Sequence, residues 1–385
     1  MISILARGLK IKTTDVSYAG TKDARAEIIQ YFTIACLPKT KLEDFDHSKI
    51  KILSCETAYR HLQVGELKSN IFEIRIHGIG DQQDIVTSRL NKIQQNGFVN
   101  YFGLQRFGLR HHKIIPDSNL KTKENDYLLT STPTIGMCLI LADWKRAAKI
   151  ALSPDGDRDD KTRGILETFN EEMGPDLCLK LISKTHITKC VRNTVRQLHP
   201  GRKLEIQILE SISKIAQKNE QFETFWRDVW TNVGYRIKQF QVQSANSLLW
   251  NRVLNRTTDE EIPFIGNADD KTIYFDEISK YLNDVFGAEH EMPKLDNIAQ
   301  IIENLKSIGL SPGTISGKER VVIFIGSGIF IHYNCMITKM SPNEKRKRMC
   351  FPKNCLVEND WIKFELEKSS YATMLLRELS SDRIS

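Results

Sequence analysis

No two of the eight cysteines, at positions 36, 55, 138, 178, 190, 335, 350 and 355, stand at CxxC spacing. That argues against a zinc knuckle or a redox dithiol. Scattered cysteines without a signal-peptide pattern read as reduced thiols in an intracellular protein, nuclear or cytoplasmic. Long apolar runs are missing too. The longest, Val321 to Ile331, is too short to cross a bilayer and is broken by Gly326 and Gly328. It reads as a buried strand and turn, and no membrane partner is expected. There is no P-loop, so phosphoryl transfer has no cradle, and there is no internal repeat or low-complexity tract. His111-His112 has no partner at ligand spacing, so no metal is assigned.

What is present is an ordinary globular composition: 385 residues, 41% hydrophobic and 27% charged. The length favours two domains over one. Lys and Arg number 55 against 48 Asp and Glu, a net charge of +7, which permits a polyanionic partner without requiring one. Residues 26–34 are β-branched and aromatic and read as a strand. Residues 71–76 alternate, with Phe72, Ile74 and Ile76 on one face and Glu73 and Arg75 on the other. Asp81 is placed to cap a helix carrying Val86, Leu90 and Ile93, and Gly97 to end it. Between about 132 and 317 the spacing is mostly helical: 142–151, 204–217, 243–254, and the face Ile298, Ile301, Ile302, Leu305 before Gly309. Residues 257–270 and 310–318 read as loops. Strand-like patterning returns after Arg320, followed by a short helix starting near Ser369 or Ser370. β-rich, helical, β-rich is the order expected of a helical domain inserted into an α+β domain.

Five segments carry the chemistry. Tyr18-Ala-Gly-Thr-Lys-Asp-Ala-Arg-Ala26 puts one carboxylate, Asp23, between Lys22 and Arg25 just after Gly20. The flanking cations favour an ionised carboxylate, which is a nucleophile or base rather than an acid. A charged turn before a strand has the same spacing. Asn100-Tyr-Phe-Gly-Leu-Gln-Arg-Phe-Gly108 interleaves amide, aromatic, glycine and arginine residues suited to stacking on bases, reading their edges and holding phosphate. Ser369-Ser-Tyr-Ala-Thr-Met-Leu-Leu-Arg-Glu-Leu379 lies near the C-terminus, and Gly65 to Phe72 and Gln241 to Asn251 complete the set.

In this order the five segments resemble the TruD family of pseudouridine synthases, in its eukaryotic branch, from about Ser17 to about Leu379. The resemblance implies an α+β fold: a pseudouridine synthase core with a mixed, largely antiparallel sheet, interrupted by a mostly helical insertion domain. The expected boundaries are residues 1–131 and 318–385 for the core and 132–317 for the insertion. It also implies isomerisation of uridine to pseudouridine in tRNA, at position 13 typically, with other tRNA positions and messenger RNA as further partners, and no cofactor. Asp23 matches the catalytic carboxylate of the family. Asn100 matches a uracil-contacting amide, Phe102 an aromatic packed on the target base, and Tyr371 an aromatic lining the pocket. A core Phe, a turn Asn and a helix-start Tyr are the plain alternatives. Lys22 reads as a substrate-binding cation, and Arg106 as a phosphate ligand or the partner of a buried acid. Arg377 reads as a cation for Asp23 or a helix-end Arg.

Arg25, with Arg192, Arg196 and Arg202 in the inserted region, is the candidate grip on the RNA backbone; a charged helix face looks the same. Lys345-Arg-Lys-Arg348 reads as a solvated loop or as a contact for RNA or nuclear import. Asp155-Gly-Asp-Arg-Asp-Asp160 opens like an EF-hand, but its sixth residue is Asp160 and its twelfth Leu166; it reads as an acidic surface loop. A non-catalytic RNA-binding protein or RNA chaperone of the same fold is the rival reading. A nuclease would need clustered metal-binding carboxylates beside the motifs, and none stands there. In relatives a sizeable portion supplying core strands and a pocket aromatic precedes the catalytic segment. Here 22 residues precede Asp23, so reduced folding or activity of the chain by itself is expected.

Overall fold

The computed structural model describes residues 1–20, 22, 26–35, 37–63, 65–107, 132–155, 159–174, 177, 182–218, 223–263, 277, 280, 281, 283, 298–310 and 345–380. The chain divides into two units, Met1–Phe98 with Cys350–Ser385, and Val99–Met349. One unit is therefore inserted in the sequence of the other, the organisation expected from the pattern, with edges at 98/99 and 349/350. Among the described residues no helix is long and apolar enough to cross a membrane.

The first unit begins with α1 (Ile2–Gly8), β1 (Val16–Tyr18), β2 (Phe32–Ile34), α2 (Lys39–Glu43), β3 (Ser69–Arg75) and α3 (Gln83–Asn96). β1 and β2 pair antiparallel, Val16 opposite Ile34. The strand expected over 26–34 is paired only in its last three residues. Ile29 and Tyr31 are 77% and 82% exposed: β-forming side chains do not make a strand where no neighbour supplies the ladder. α3 starts after a 3₁₀ turn, Gly80–Gln82, with Gln82 rather than Asp81 at its N-cap. Leu90 and Ile93 are buried as the spacing predicts. At Gly97 (φ +73°) a Cβ would lie 2.9 Å from the Phe351 ring, so both conformation and space select glycine.

The second unit is mostly helical: α4 (Thr132–Ile140), α5 (Trp144–Ala151), α6 (Asp160–Met173), α7 (Lys184–Gln197), α8 (Lys203–Lys218), α9 (Phe225–Asn232), α10 (Tyr235–Leu254) and α11 (Ile298–Ser307). β4 (Glu261–Pro263) pairs antiparallel with β5 (Lys345–Lys347). Two expectations change here. The 257–270 loop contains a strand, and the 345–348 cluster is its partner rather than a solvated loop. Pairing fixes which side chains point inward, and Arg346 is buried at 6% exposure. α4 and α10 form the centre of the unit, with Pro133 to Ile140 buried without interruption. Their backbones meet at Gly136, where a Cβ would stand 2.0 Å from the Gln241 carbonyl oxygen. The acidic stretch expected as a loop ends in the cap of α6: the Asp159 carboxylate accepts from the Thr162 N–H at 2.8 Å. The readings for 310–318 beyond Leu310, and for 321–331, lie outside the described residues.

The chain then returns to the first unit with β6 (Lys353–Glu358), β7 (Trp361–Glu367) and α12 (Ala372–Ser380). β7 is the central strand of an antiparallel sheet ordered β3-β7-β6. Phe72 stands opposite Phe364 and Ile74 opposite Ile362, and Ile362, Phe364 and Leu366 are fully buried. The sheet thus joins strands from the two ends of the sequence, and α3 is tied to α12 by the Arg89 guanidinium donating to the Leu379 carbonyl at 3.2 Å.

Candidate active site

Two of the five segments meet inside the first unit, and Lys368, the residue just before a third, joins them. The Gly65 N–H donates to the Ala19 carbonyl at 2.8 Å, and the Lys22 ammonium donates to Asn70 Oδ1. Gly65 adopts φ +93° at this junction, a conformation that favours glycine. The Lys368 N–H donates to the Lys68 carbonyl at 3.0 Å and its ammonium to the Gly65 carbonyl at 3.1 Å. Hydrogen bonds therefore link Ala19 to Gly65, Lys22 to Asn70, and Lys368 to both Gly65 and Lys68. Tyr371, half-buried, directly precedes α12, where its carbonyl accepts from the Met374 and Leu375 N–H groups. Arg377 lies in the last turn of the same helix. Asp23 and Arg25 lie outside the described residues.

The other two segments meet inside the second unit. α10 carries Ser247 and Asn251 four residues apart on one stripe, and its C-cap, Asn255, continues the same spacing. Asn251, buried at 1% exposure, reads the backbone of residue 102 with both ends of its amide. Its Oδ1 accepts from the Phe102 N–H at 2.8 Å, and its Nδ2 donates to the Phe102 carbonyl at 3.1 Å. Arg106 Nε donates to Ser247 Oγ at 3.2 Å, and the Tyr101 hydroxyl donates to Asn255 Oδ1. The expectation for Arg106 is phosphate or a buried acid; the contact seen is this one to a serine hydroxyl. The guanidinium also lies 5.7 Å from the Phe102 ring centre.

A residue that sequence reasoning assigned to the surface completes this cluster. The Arg346 guanidinium carbon stands 3.9 Å from the Phe102 ring centre and 4.9 Å from that of Trp250. Phe102 meets Trp250 edge to face at 5.5 Å. Arg346 Nη2 donates to the Asn100 carbonyl and to Asn100 Oδ1, both at 2.8 Å. The Asn100 Nδ2 donates to the Lys347 carbonyl at 3.2 Å, and its N–H to the Arg348 carbonyl at 2.8 Å. Asn100 and Phe102 are buried at 5% and 6% exposure; both take the internal positions that the plain alternatives describe. A signal for this cluster exists in the sequence, the four-residue spacing of Ser247, Asn251 and Asn255. For Arg346 the strand period of two around it is the only local cue.

The basic candidates separate by exposure. Arg192 and Arg196 are exposed, one turn apart on α7. Arg202 is instead drawn to Asp159 at 2.6 Å and to Glu205 at 4.0 Å. The Arg202 guanidinium, with the Thr162 N–H and hydroxyl, holds the Asp159 carboxyl well below the usual carboxylate range. Among the described residues, Glu172, His186 and Cys190 bring metal-capable atoms within 4.8 Å of one another. Burial and the neighbouring Glu172 push the Cys190 thiol up to about 11, so it is a protonated donor at neutral pH. None of these three belongs to the segments described above.

The fold is that of an α+β protein with a mostly helical unit inserted in its sequence, and it has likenesses among known proteins. The family model for TruD, tRNA pseudouridine synthase D, matches residues 1–118. Multisubstrate pseudouridine synthase 7 of Schizosaccharomyces pombe is 25% identical over 65% of this chain and 32% of its own length. tRNA pseudouridine synthase D of Wolinella succinogenes is 37% identical over 28% of this chain and 30% of its own. The chain thus spans about a third of the length of these two curated relatives. The fold is shared with the crystal structure of a Methanosarcina mazei protein assigned as tRNA pseudouridine synthase D. That match has a TM-score of 0.50 and 16% identity, and covers 98% of this chain and 84% of that one. Residues 1–118 are thus similar to the TruD family, and the fold is shared with one solved structure of that name.

Proposed function

We propose that this chain is an RNA pseudouridine synthase that isomerises uridine to pseudouridine in tRNA, position 13 being the typical target, with other tRNA positions and messenger RNA as further substrates. The reaction breaks the N1–C1′ bond, turns the base and joins C5 to C1′; N1 gains a proton and C5 loses one. Electrons and atoms balance without a redox partner. The target nucleotide must leave its stack to be reached. Asp23 is the reactive carboxylate in this reading, kept ionised by the cations beside it in sequence. Lys22 is anchored to Asn70 near it in the chain. Asn100 and Phe102 are assigned to the uracil. Arg192 and Arg196 are assigned to the RNA backbone.

The observation that carries the reading is the family match over residues 1–118, which contains both the Lys22-Asp23 pair and the 100–108 segment. The test is to map pseudouridines in RNA from cells with the gene, without it, and with an Asp23→Ala copy. Sites that vanish in the second and are not restored by the third support the proposal. Identical maps in all three overturn it. A full map with Asp23→Ala removes Asp23 from its role.

A further inference from the structure

Arg346 lies in the basic run 345–348, which reads in sequence as a surface for RNA. Its place in the fold is the opposite. Register in the two-stranded ribbon sets Arg346 across from Ile262, and both are buried. Its neighbour Lys347 is exposed. Removing an arginine from water is costly unless its donors and its flat faces are used. Here they are: three N–H···O contacts to Asn100 at 2.8, 2.8 and 3.2 Å, and stacking on Phe102 and Trp250. The following two residues grip Asn100 by their carbonyls. Three consecutive residues of one segment thus fix Asn100, while Asn251 fixes the backbone of Phe102 from α10.

We propose that Arg346 is a positioning residue for the isomerisation: a planar rivet that holds the Asn100 amide and the Phe102 ring in the orientation in which they meet a uracil. The proposal rests on the functional reading above. A lysine cannot replace it, because a single ammonium neither donates in a fixed fork nor stacks as a plane. Misplacing such groups by about 1 Å costs on the order of 100-fold in rate. Because Arg346 is buried, its loss acts on turnover and leaves affinity for RNA, set by exposed cations, unchanged.

The test compares wild type, Arg346→Lys and Arg346→Met by the single-turnover rate of pseudouridine formation at saturating tRNA, the Kd for that tRNA, and amide hydrogen exchange. For Arg346→Met the expected rate falls about 100-fold and Kd stays within about threefold. Exchange at Asn100 and Phe102 quickens, while that of α7 and α8 is unchanged. Arg346→Lys recovers less than about a tenth of the lost rate. A wild-type rate in Arg346→Met, a loss confined to Kd, or a faster rate (a guanidinium obstructing the base) overturns the proposal. If Arg346→Met does not fold, Arg346→Lys decides: a wild-type rate refutes the rivet and a slowed one supports it. If the wild type itself forms no pseudouridine, the functional reading fails. Exchange then judges the rivet alone: unchanged protection at 100 and 102 in the variants refutes it, faster exchange upholds it.

Discussion

Replacing Asn251 with alanine should be among the most damaging single changes in the helical unit. The side chain is 1% exposed and makes two hydrogen bonds to the backbone of Phe102, at 2.8 and 3.1 Å. Truncation leaves a buried N–H and a buried C=O without their partner, at about 1–3 kcal/mol each. The expected loss is about 2–6 kcal/mol. For a folding unit of this size each kcal/mol moves the Tm by about 2–4 °C, so the shift is about 4–24 °C downward. Asn255 is an internal control. It lies one turn further along the same stripe and bonds the Tyr101 hydroxyl, but it is exposed. Water replaces that bond, so Asn255→Ala should change stability by less than about 0.5 kcal/mol. Thermal melts followed by circular dichroism, with urea titrations alongside, measure both. If Asn251→Ala melts within about 2 °C of wild type, or if the two variants cost the same, the reasoning from buried orphaned groups is wrong.

Regular periodicity made much of this architecture legible. The alternation at 71–76 became β3, Leu90 and Ile93 became the buried face of α3, and the helical tract between β-rich segments became the inserted unit. The failures have physical causes. α10 was read only from 243, because its buried positions include Lys238, Gln239, Gln241, Ser244, Asn246, Ser247 and Asn251, and a polar residue that is buried erases the amphipathic signal. Two of them, Ser247 and Asn251, bond the 101–106 segment rather than another helix. Residues 26–31 have strand composition but no ladder partner among the described residues. The run 345–348 looks solvated because charge is read as exposure, whereas pairing with 261–263 turns Arg346 inward. Nothing local in a sequence brings 100, 251 and 346 together; only the fold does.

Gly136→Ala places a methyl group 2.0 Å from the Gln241 carbonyl oxygen; forcing α4 and α10 apart should cost about 3 kcal/mol or more in urea unfolding, and a variant as stable as wild type would show that the helices do not touch there. Burial pushes the Lys238 ammonium down to about 8 from 10.5, while it donates to the Thr231 and Ile308 carbonyls. The folded-state value is the lower one, so below pH 8 both states are charged and the burial penalty is constant. Between pH 8 and 10.5 the unfolded chain keeps a proton that the folded chain has shed, and stability rises with pH by at most about 3 kcal/mol. Melts of wild type and Lys238→Met across that window should therefore diverge in favour of wild type; a constant gap would contradict it. Arg192→Gln and Arg196→Gln should each lower the salt slope of RNA binding by about 0.7, measured by filter binding at several ionic strengths. Arg202→Gln should instead lower the melting temperature, since its charge is held by Asp159.

The central claim is that Asp23 drives exchange of the C5 and N1 attachments of uridine. Release of tritium from tRNA labelled at uridine C5 reads that step directly, because C5 must surrender its hydrogen when it joins C1′. The account predicts stoichiometric release by the wild-type chain and none above background by Asp23→Ala at equal RNA occupancy. Equal release by both proteins, or release by neither, would contradict it.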